Sequence, residues 1–255
     1  MRIKPHKHAW YGCRRDTLDP RDKHFRPMAR RLPASVDLRP HCPPVMDQGA
    51  LGSCTAHGIT AALRYLLLNA GKPDIPLARL QLYYDERYVE GTVSEDSGAE
   101  IRDGIKCAAK IGVAHEALWP YDVKLFAVKP TANVYTDALA FEALTYERVS
   151  VSATHLKLAL ADGLPVVIGI SVFESFESKA VEKSGLVPMP DVHREDMMGG
   201  HCMLAVGYGQ RPDTFTVQNS WNTDWGDAGF CYLPERYLGS PDLGSDYWLI
   251  RTVTD

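Results

Sequence analysis

Apolar residues in the first half of the chain recur at the spacing of amphipathic helices. After Ser53 they stand three or four positions apart until Gly71, which predicts a helix with Ser53 as its N-cap and Gly71 as its stop. The same pattern predicts helices over residues 77–90 and 99–111. Prolines and glycines interrupt residues 39–53, so this stretch is expected to be irregular.

From about residue 144 the pattern changes to short apolar runs bounded by Gly, Pro and Asp, which are typical of strands. One short helix is predicted near residues 154–162. The strand candidates are residues 165–172, 202–209, 214–221, 229–234 and 247–253. The second half of the chain is therefore predicted to be mainly β.

These patterns divide the 255 residues into three segments and predict an α+β fold. Residues 1–31 form a basic leader, residues 32–143 a mainly helical domain, and residues 144–255 a mainly β domain. With 45% hydrophobic and 24% charged residues, the chain can bury one large core or two smaller ones.

Charge is unevenly distributed along the chain. Residues 1–36 carry ten Lys or Arg and three Asp, a net charge of +7, whereas the remainder carries −11. Two interpretations stay open: a solvated leader, or a leader that docks on its own acidic body across a cleft and inhibits it. Nucleic-acid binding by the leader is disfavoured because aromatic residues do not alternate with the basic ones.

Four polar side chains form a candidate catalytic set. Cys54 follows Gln48 by six residues, and His201 and Asn219 lie far downstream. A cysteine attacks as the thiolate, which needs an imidazole nearby, and the imidazole needs a third group to orient it. Cys54 also falls in the first turn of the predicted helix, where the amides and the dipole stabilise an anion.

The segments DQGALGSCTAHG, GGHCMLAVGYG and VQNSW, with His201 standing 147 positions after Cys54, resemble the papain-like cysteine peptidases. The resemblance extends from about Leu32 to the end of the chain. It implies a two-domain fold with a helical left domain, a β-barrel-like right domain and an active site in the cleft between them. The short leader would stand in for the longer inhibitory propeptide of the family.

The resemblance also implies a role for each catalytic candidate. Cys54 would form a thioester acyl-enzyme, His201 would act as the acid and base, and Asn219 would orient His201. Gln48 would donate to the oxyanion. The predicted function is that of a cysteine-type endopeptidase with a polypeptide substrate; the alternatives are an acyl transferase that uses the same thioester, or an inactive relative that binds peptides.

Three further residues are assigned to the substrate cleft by the same comparison. Gly98 matches a glycine whose main chain binds extended peptide, Gly200 directly precedes His201, and Trp221 would cover the contact between His201 and Asn219. Thr55 and His57 depart from the family pattern, and His57 is expected to be a structural histidine rather than a second base.

The six cysteines are expected to be mostly reduced, because a catalytic Cys54 leaves an odd number of others. Leu51 and Glu95 stand where secreted relatives carry a disulfide. We expect no cofactor and no metal, since the remaining His and Cys lack zinc-ligand spacing. The longest apolar run is too short to span a membrane, and no secretory signal is evident, so we expect a cytoplasmic protein or one exported by a signal-independent route.

Overall fold

Helices and strands occupy largely separate parts of the chain in the computed structural model, which describes residues 11–141 and 143–253. The helices are α1 (Cys54–Asn69), α2 (Arg79–Glu90), α3 (Ile101–Lys110), α4 (Ala132–Ala138), α5 (Ala153–Ala161), α6 (Lys179–Ser184) and α7 (Glu235–Leu238). The strands are β1 (Cys13–Arg14), β2 (Val36–Asp37), β3 (Ala99–Glu100), β4 (Ala143–Val149), β5 (Val166–Phe173), β6 (Met197–Tyr208), β7 (Thr214–Gln218), β8 (Phe230–Pro234) and β9 (Gly244–Val253). Within these residues, none of the helices combines the length and apolar character needed to cross a membrane.

The helix α1 is the central helix of the structure, because it packs against α2 and α3 on one side and against β6, β5 and β9 on the other. Its predicted span is confirmed, and the chain turns at Gly71 with φ +76°. Ser53 is the N-cap residue, as predicted, although its side chain makes no capping hydrogen bond. Its hydroxyl bonds the Tyr121 hydroxyl at 2.6 Å.

A seven-stranded sheet forms the second half of the fold, in the order β4-β9-β5-β6-β7-β8, with β2 added to β6. All neighbours in this sheet are antiparallel. Every residue of β5 is buried, which explains its continuous apolar sequence. The five predicted strands appear as β5 to β9.

Two features of the sheet differ from the sequence-based picture. Strand β4 was not predicted, because its Glu147 and Arg148 interrupt the apolar pattern; these residues pair with Arg251 and Asp246 on β9. Strand β2 comes from the segment predicted to be mainly helical and joins the sheet. The boundary at residue 143/144 stays a prediction.

The buried side chain of Arg87 holds the loop that follows α2. Its guanidinium donates to the carbonyl oxygens of Val93 at 2.8 Å and Glu95 at 3.0 Å, and also to that of Phe126. The loop leads directly to Gly98 and β3. A buried arginine therefore shapes one edge of the region that contains the predicted cleft.

The substitution Arg87→Ala should lower the free energy of unfolding by about 3 kcal/mol, because it leaves several partly buried carbonyl groups without donors. For a chain of this size, that loss corresponds to a Tm lower by roughly 6–12 °C. Calorimetry would measure the change, with the exposed Arg236→Ala as the matched control. Equal Tm values for the two variants would contradict this account of the loop.

Candidate active site

Cys54 is the first residue of α1 and is completely buried. Burial raises the pKa of Cys54 above its ordinary value, and the backbone of Cys202 and Gly12 lowers it by a smaller amount. The Cys54 thiol thus lies close to both β6 and the leader.

His201 and Asn219 form a hydrogen bond of defined polarity. The Ser220 amide donates to Asn219 Oδ1 at 2.8 Å, and since an amide only donates, this atom is the carbonyl oxygen. His201 Nε2 lies 2.7 Å from the same oxygen and must therefore carry a hydrogen. The other ring nitrogen, Nδ1, is buried and has no hydrogen-bond partner in the described part of the chain. His201 is thus oriented with a free lone pair on Nδ1.

Aromatic rings shield this hydrogen bond from water. Trp221 stacks on His201 with a centroid distance of 4.9 Å and an angle of 25°. Phe176 and Trp225 pack against Trp221 in turn. Trp221 therefore lies where a side chain that covers the contact between His201 and Asn219 was predicted.

Gln48 is fully buried and its side chain is fixed from both ends. Its Oε1 accepts from Ser220 Oγ at 2.6 Å, and its Nε2 donates to the Leu51 carbonyl at 3.0 Å. Its backbone amide also donates to the Ser220 carbonyl at 2.9 Å. Gln48 is thereby joined to the residue that follows Asn219.

His57 is a structural residue in this geometry. Its Nδ1 lies 2.9 Å from the Ser53 carbonyl, and its Nε2 lies 2.9 Å from the Arg79 guanidinium. Because arginine only donates, Nε2 accepts and the ring is neutral. Burial and the Arg79 charge lower the pKa of His57 to about 3. The other departure, Thr55, donates from its hydroxyl to Glu86 at 2.7 Å.

The leader crosses the site as a short extended strand. Residues Cys13 and Arg14 form β1, which pairs in parallel with β3, and the Ala99 amide donates to the Gly12 carbonyl at 2.7 Å. The ring of Tyr11 stands edge-on to His201 at 6.0 Å between centroids. Residues 1–10 of the predicted leader lie outside the described residues.

Glycine is required where the leader meets the cleft. A Cβ on Gly12 would lie 1.8 Å from the Gly52 carbonyl oxygen, and a Cβ on Gly98 would lie 2.0 Å from the Gly12 carbonyl oxygen. On the opposite wall, a Cβ on Gly200 would lie 2.1 Å from the Cys13 carbonyl oxygen. The main chain of the leader therefore touches both walls directly.

Buried ion pairs attach the next part of the leader to the body. Asp16 accepts from the Arg148 guanidinium at 2.7 Å and from Trp248 Nε1 at 2.8 Å. Asp22 pairs with Arg102 at 2.9 Å. In these buried pairs the acidic residue belongs to the leader and the basic residue to the body. The net charges had led us to expect the opposite, a basic leader on an acidic body.

Basic residues of the leader also pair with acids of the body, but at more exposed positions. Arg14 pairs with Glu90, and Arg30 pairs with Asp162 at 2.5 Å. Net charge alone did not reveal this mixed pattern, because the buried contacts are carried by Asp16 and Asp22, which are outnumbered by the basic residues of the leader.

The leader-covered site disfavours charge on both catalytic candidates. Burial lowers the pKa of His201 to about 4, while the bond to Asn219 raises it by a smaller amount. Burial raises the pKa of Cys54. A thiol and a neutral imidazole are therefore the favoured forms while the leader excludes water.

All six cysteines are free thiols. Within residues 11–141 and 143–253, no group of three or more His, Cys, Asp or Glu side chains is arranged to hold a metal ion.

A family model described as papain family cysteine protease matches residues 32–251. The chain belongs to the papain family, and it is a cysteine peptidase with the papain-like fold. The family, fold and enzyme class predicted from the motifs are confirmed.

Similar proteins include xylellain, a cysteine protease from Xylella fastidiosa, which is 36% identical, with a TM-score of 0.90 over 99% of each chain. An uncharacterized peptidase C1-like protein of Acanthamoeba polyphaga mimivirus is 40% identical over 219 residues, 82% of this chain and 70% of that protein. Digestive procathepsin L 3 of Tenebrio molitor shares the fold at 20% identity, with a TM-score of 0.73 over 91% of this chain and 74% of that one.

The structure joins His201 to Asn219 and joins Gln48 to Ser220, the residue next to Asn219, and it places the main chain of the leader against Gly98 and Gly200. Sequence reasoning missed Ser220, Gly12 and Asp16. Ser220 could have been suspected from its place beside Asn219. Gly12 and Asp16 make contacts with residues that are distant in sequence, so no local pattern marks them.

The substitution His57→Gln should flatten the acid limb of the stability curve. Because the pKa of His57 is about 3 in the folded state, the unfolded chain takes up the proton first as pH falls below about 6.5. The contribution of neutral His57 to the free energy of unfolding is complete above that pH. It falls by about 1.4 kcal/mol per pH unit between pH 6.5 and pH 3. Denaturant unfolding between pH 7 and pH 4 would measure the slopes, with the exposed His193→Gln as control. Parallel curves for wild type and His57→Gln would refute the assignment.

Proposed function

We propose that the protein is an endopeptidase in which Cys54, His201 and Asn219 form the catalytic triad. The observation that carries the proposal is the bond from His201 Nε2 to Asn219 Oδ1 at 2.7 Å, with Nδ1 left unpartnered. Nδ1 can then take the Cys54 proton, return it to the leaving amine and later activate water.

Gln48 is the proposed oxyanion donor, together with the Cys54 amide. Its carbonyl oxygen is held by Ser220 at 2.6 Å, which fixes the direction of the amide group before substrate binds. A preorganised donor is worth roughly 3–4 kcal/mol in the transition state. Its bond to Ser220 would also make the orientation of Gln48 depend on the loop that positions Asn219.

The path of the leader supports Gly98 and Gly200 as substrate-binding residues. Both meet its main chain at distances that leave no space for a Cβ. A substrate in extended conformation would use the same two walls, with Trp221 packed behind His201. Because the leader continues past the site to residues 16–31, the cleft accepts a chain that extends beyond it, which favours cleavage of internal bonds.

The leader is proposed to inhibit the enzyme by filling the cleft. Its main chain at Gly12 lies against Gly52 and Gly98, and at Cys13 it lies against Gly200, at distances that leave no space for a Cβ. A substrate chain cannot occupy these positions while the leader is bound.

Labelling with an epoxide thiol-protease inhibitor tests the proposed function, with adducts read by intact mass and peptide mapping. A form that starts at Leu32 should give one adduct at Cys54 and hydrolyse peptide substrates, and full-length protein should react more slowly. Cys54→Ala should abolish both signals, whereas the matched variant Cys231→Ser should retain them. No adduct in the shortened form would refute a cysteine nucleophile, and equal rates in both forms would refute inhibition by the leader.

The substitution Gly12→Ala should release the leader, because the new Cβ would lie 1.8 Å from the Gly52 carbonyl oxygen. An overlap of this kind costs about 1–3 kcal/mol, or roughly 5- to 150-fold in the docking equilibrium. The rate of Cys54 labelling in full-length protein should rise toward that of the shortened form. Leu18→Ala, at an exposed leader position, is the control and should label like wild type. An unchanged rate in Gly12→Ala would contradict close docking of the leader.

A further inference from the structure

Two thiols that the proposed mechanism does not use meet where the leader crosses β6. We propose that Cys13 and Cys202 form a reversible disulfide that fastens the leader in the cleft, so that its release requires reduction. The proposal rests on inhibition by the leader, and it adds a modification site to that inhibition.

The side chain of Cys13 lies over a part of the sheet that carries glycines. Its Cβ is 3.8 Å from the position a Cβ would take on Gly200, and its sulfur is 3.5 Å from the corresponding position on Gly169. The Cys13 carbonyl oxygen also lies against Gly200. Cys13 therefore faces the side of the sheet to which positions 169 and 200 point.

Cys202 projects from the same side. It follows Gly200 by two positions on β6, and side chains two apart on a strand share a face. It is also the register partner of Gly169, and Cβ positions of paired residues lie about 4.5–5.5 Å apart. Cys13 and Cys202 therefore lie on one face of the sheet, both beside Gly169, and the Cys202 thiol raises the pKa of Cys13.

The third thiol in this region, Cys54, is a weaker partner for Cys13. Cys54 begins α1, whereas the Cys13 sulfur packs 3.5 Å from the Cβ position of Gly169 on β5. A bond between Cys13 and Cys202 would leave the sulfur of Cys54 intact. Reduction would then restore an enzyme with an unmodified nucleophile.

The reaction is thiol–disulfide exchange with a low-molecular-weight disulfide as oxidant. The half-buried Cys13 loses its proton and attacks the small disulfide, expelling one small thiolate and forming a mixed disulfide. The Cys202 thiolate then attacks the Cys13 sulfur and expels the second small thiolate. The two protons released by the cysteines convert these thiolates to thiols, so the protein is oxidised by two electrons and the small disulfide is reduced.

The disulfide would have its greatest effect on activity after the leader has been cut from the body. A cut leader can dissociate, whereas a disulfide keeps it at a high effective concentration over the cleft. Proteolysis alone would then leave the enzyme covered, and reduction would be a second requirement for activity.

The experiment uses full-length protein with a serine-protease recognition site inserted between the exposed residues Met28 and Ala29. The protein is equilibrated with oxidised or reduced glutathione, cut, and treated with N-ethylmaleimide to block free thiols. Non-reducing mass spectrometry should find the leader linked to the body through Cys13 and Cys202 in the oxidised sample only. Absence of this link, or a link from Cys13 to Cys54, would overturn the proposal.

Epoxide labelling of Cys54 in the cut protein, without the blocking step, provides the functional measurement. Oxidised wild type should label at least about tenfold more slowly than oxidised Cys13→Ser, and reduction should remove the difference. Cys42→Ser, another half-buried thiol, is the matched control and should behave like wild type. The labelling rate of oxidised Cys13→Ser also shows whether glutathione reacts directly with Cys54, because that reaction would slow labelling without the disulfide. If the disulfide is mapped but Cys54 is not labelled more slowly, inhibition by the leader is refuted. If the disulfide is missing but Cys54 in the uncut protein is still labelled slowly, only the disulfide is refuted.

Discussion

The pairing of residues 46–48 with residues 220–222 is the interaction on which the geometry of the site depends. The Gln48 amide donates to the Ser220 carbonyl at 2.9 Å, and Asp47 and Trp221 form a bridge between the two segments. One segment leads into α1 and Cys54, and the other follows Asn219. A few backbone hydrogen bonds therefore set the position of the thiol relative to the imidazole and its orienting amide.

This pairing explains why the predicted site could be found from sequence more easily than the structure that holds it. Gln48, Cys54, His201 and Asn219 stand in short motifs whose residue types are dictated by chemistry. Ser220 joins Gln48 to Asn219 through contacts made 172 positions apart in the chain. Pairings at this separation depend on the tertiary fold, and local patterns do not contain them.

The fold was predictable where burial is uniform along an element. The helix α1 and the strand β5 are apolar over most of their lengths, and both were predicted. Strand β4 was missed because its charged residues are paired within the folded protein rather than solvated: Arg148 contacts Asp16, Asp22 and Asp246. From the sequence alone, a charged residue that is neutralised by tertiary contacts cannot be distinguished from one that is exposed to solvent.

The same network explains why the leader docks in one position. Asp16 and Asp22 are buried at places where Arg102 and Arg148 would otherwise lose their partners, so the leader and the body stabilise each other's charges. These contacts fix the chain a few residues from Gly12, and the glycine contacts then bring its main chain against both walls. With water excluded, the low dielectric favours the neutral forms of Cys54 and His201. Leader docking would thus oppose catalysis twice, by filling the cleft and by disfavouring the thiolate that attack requires.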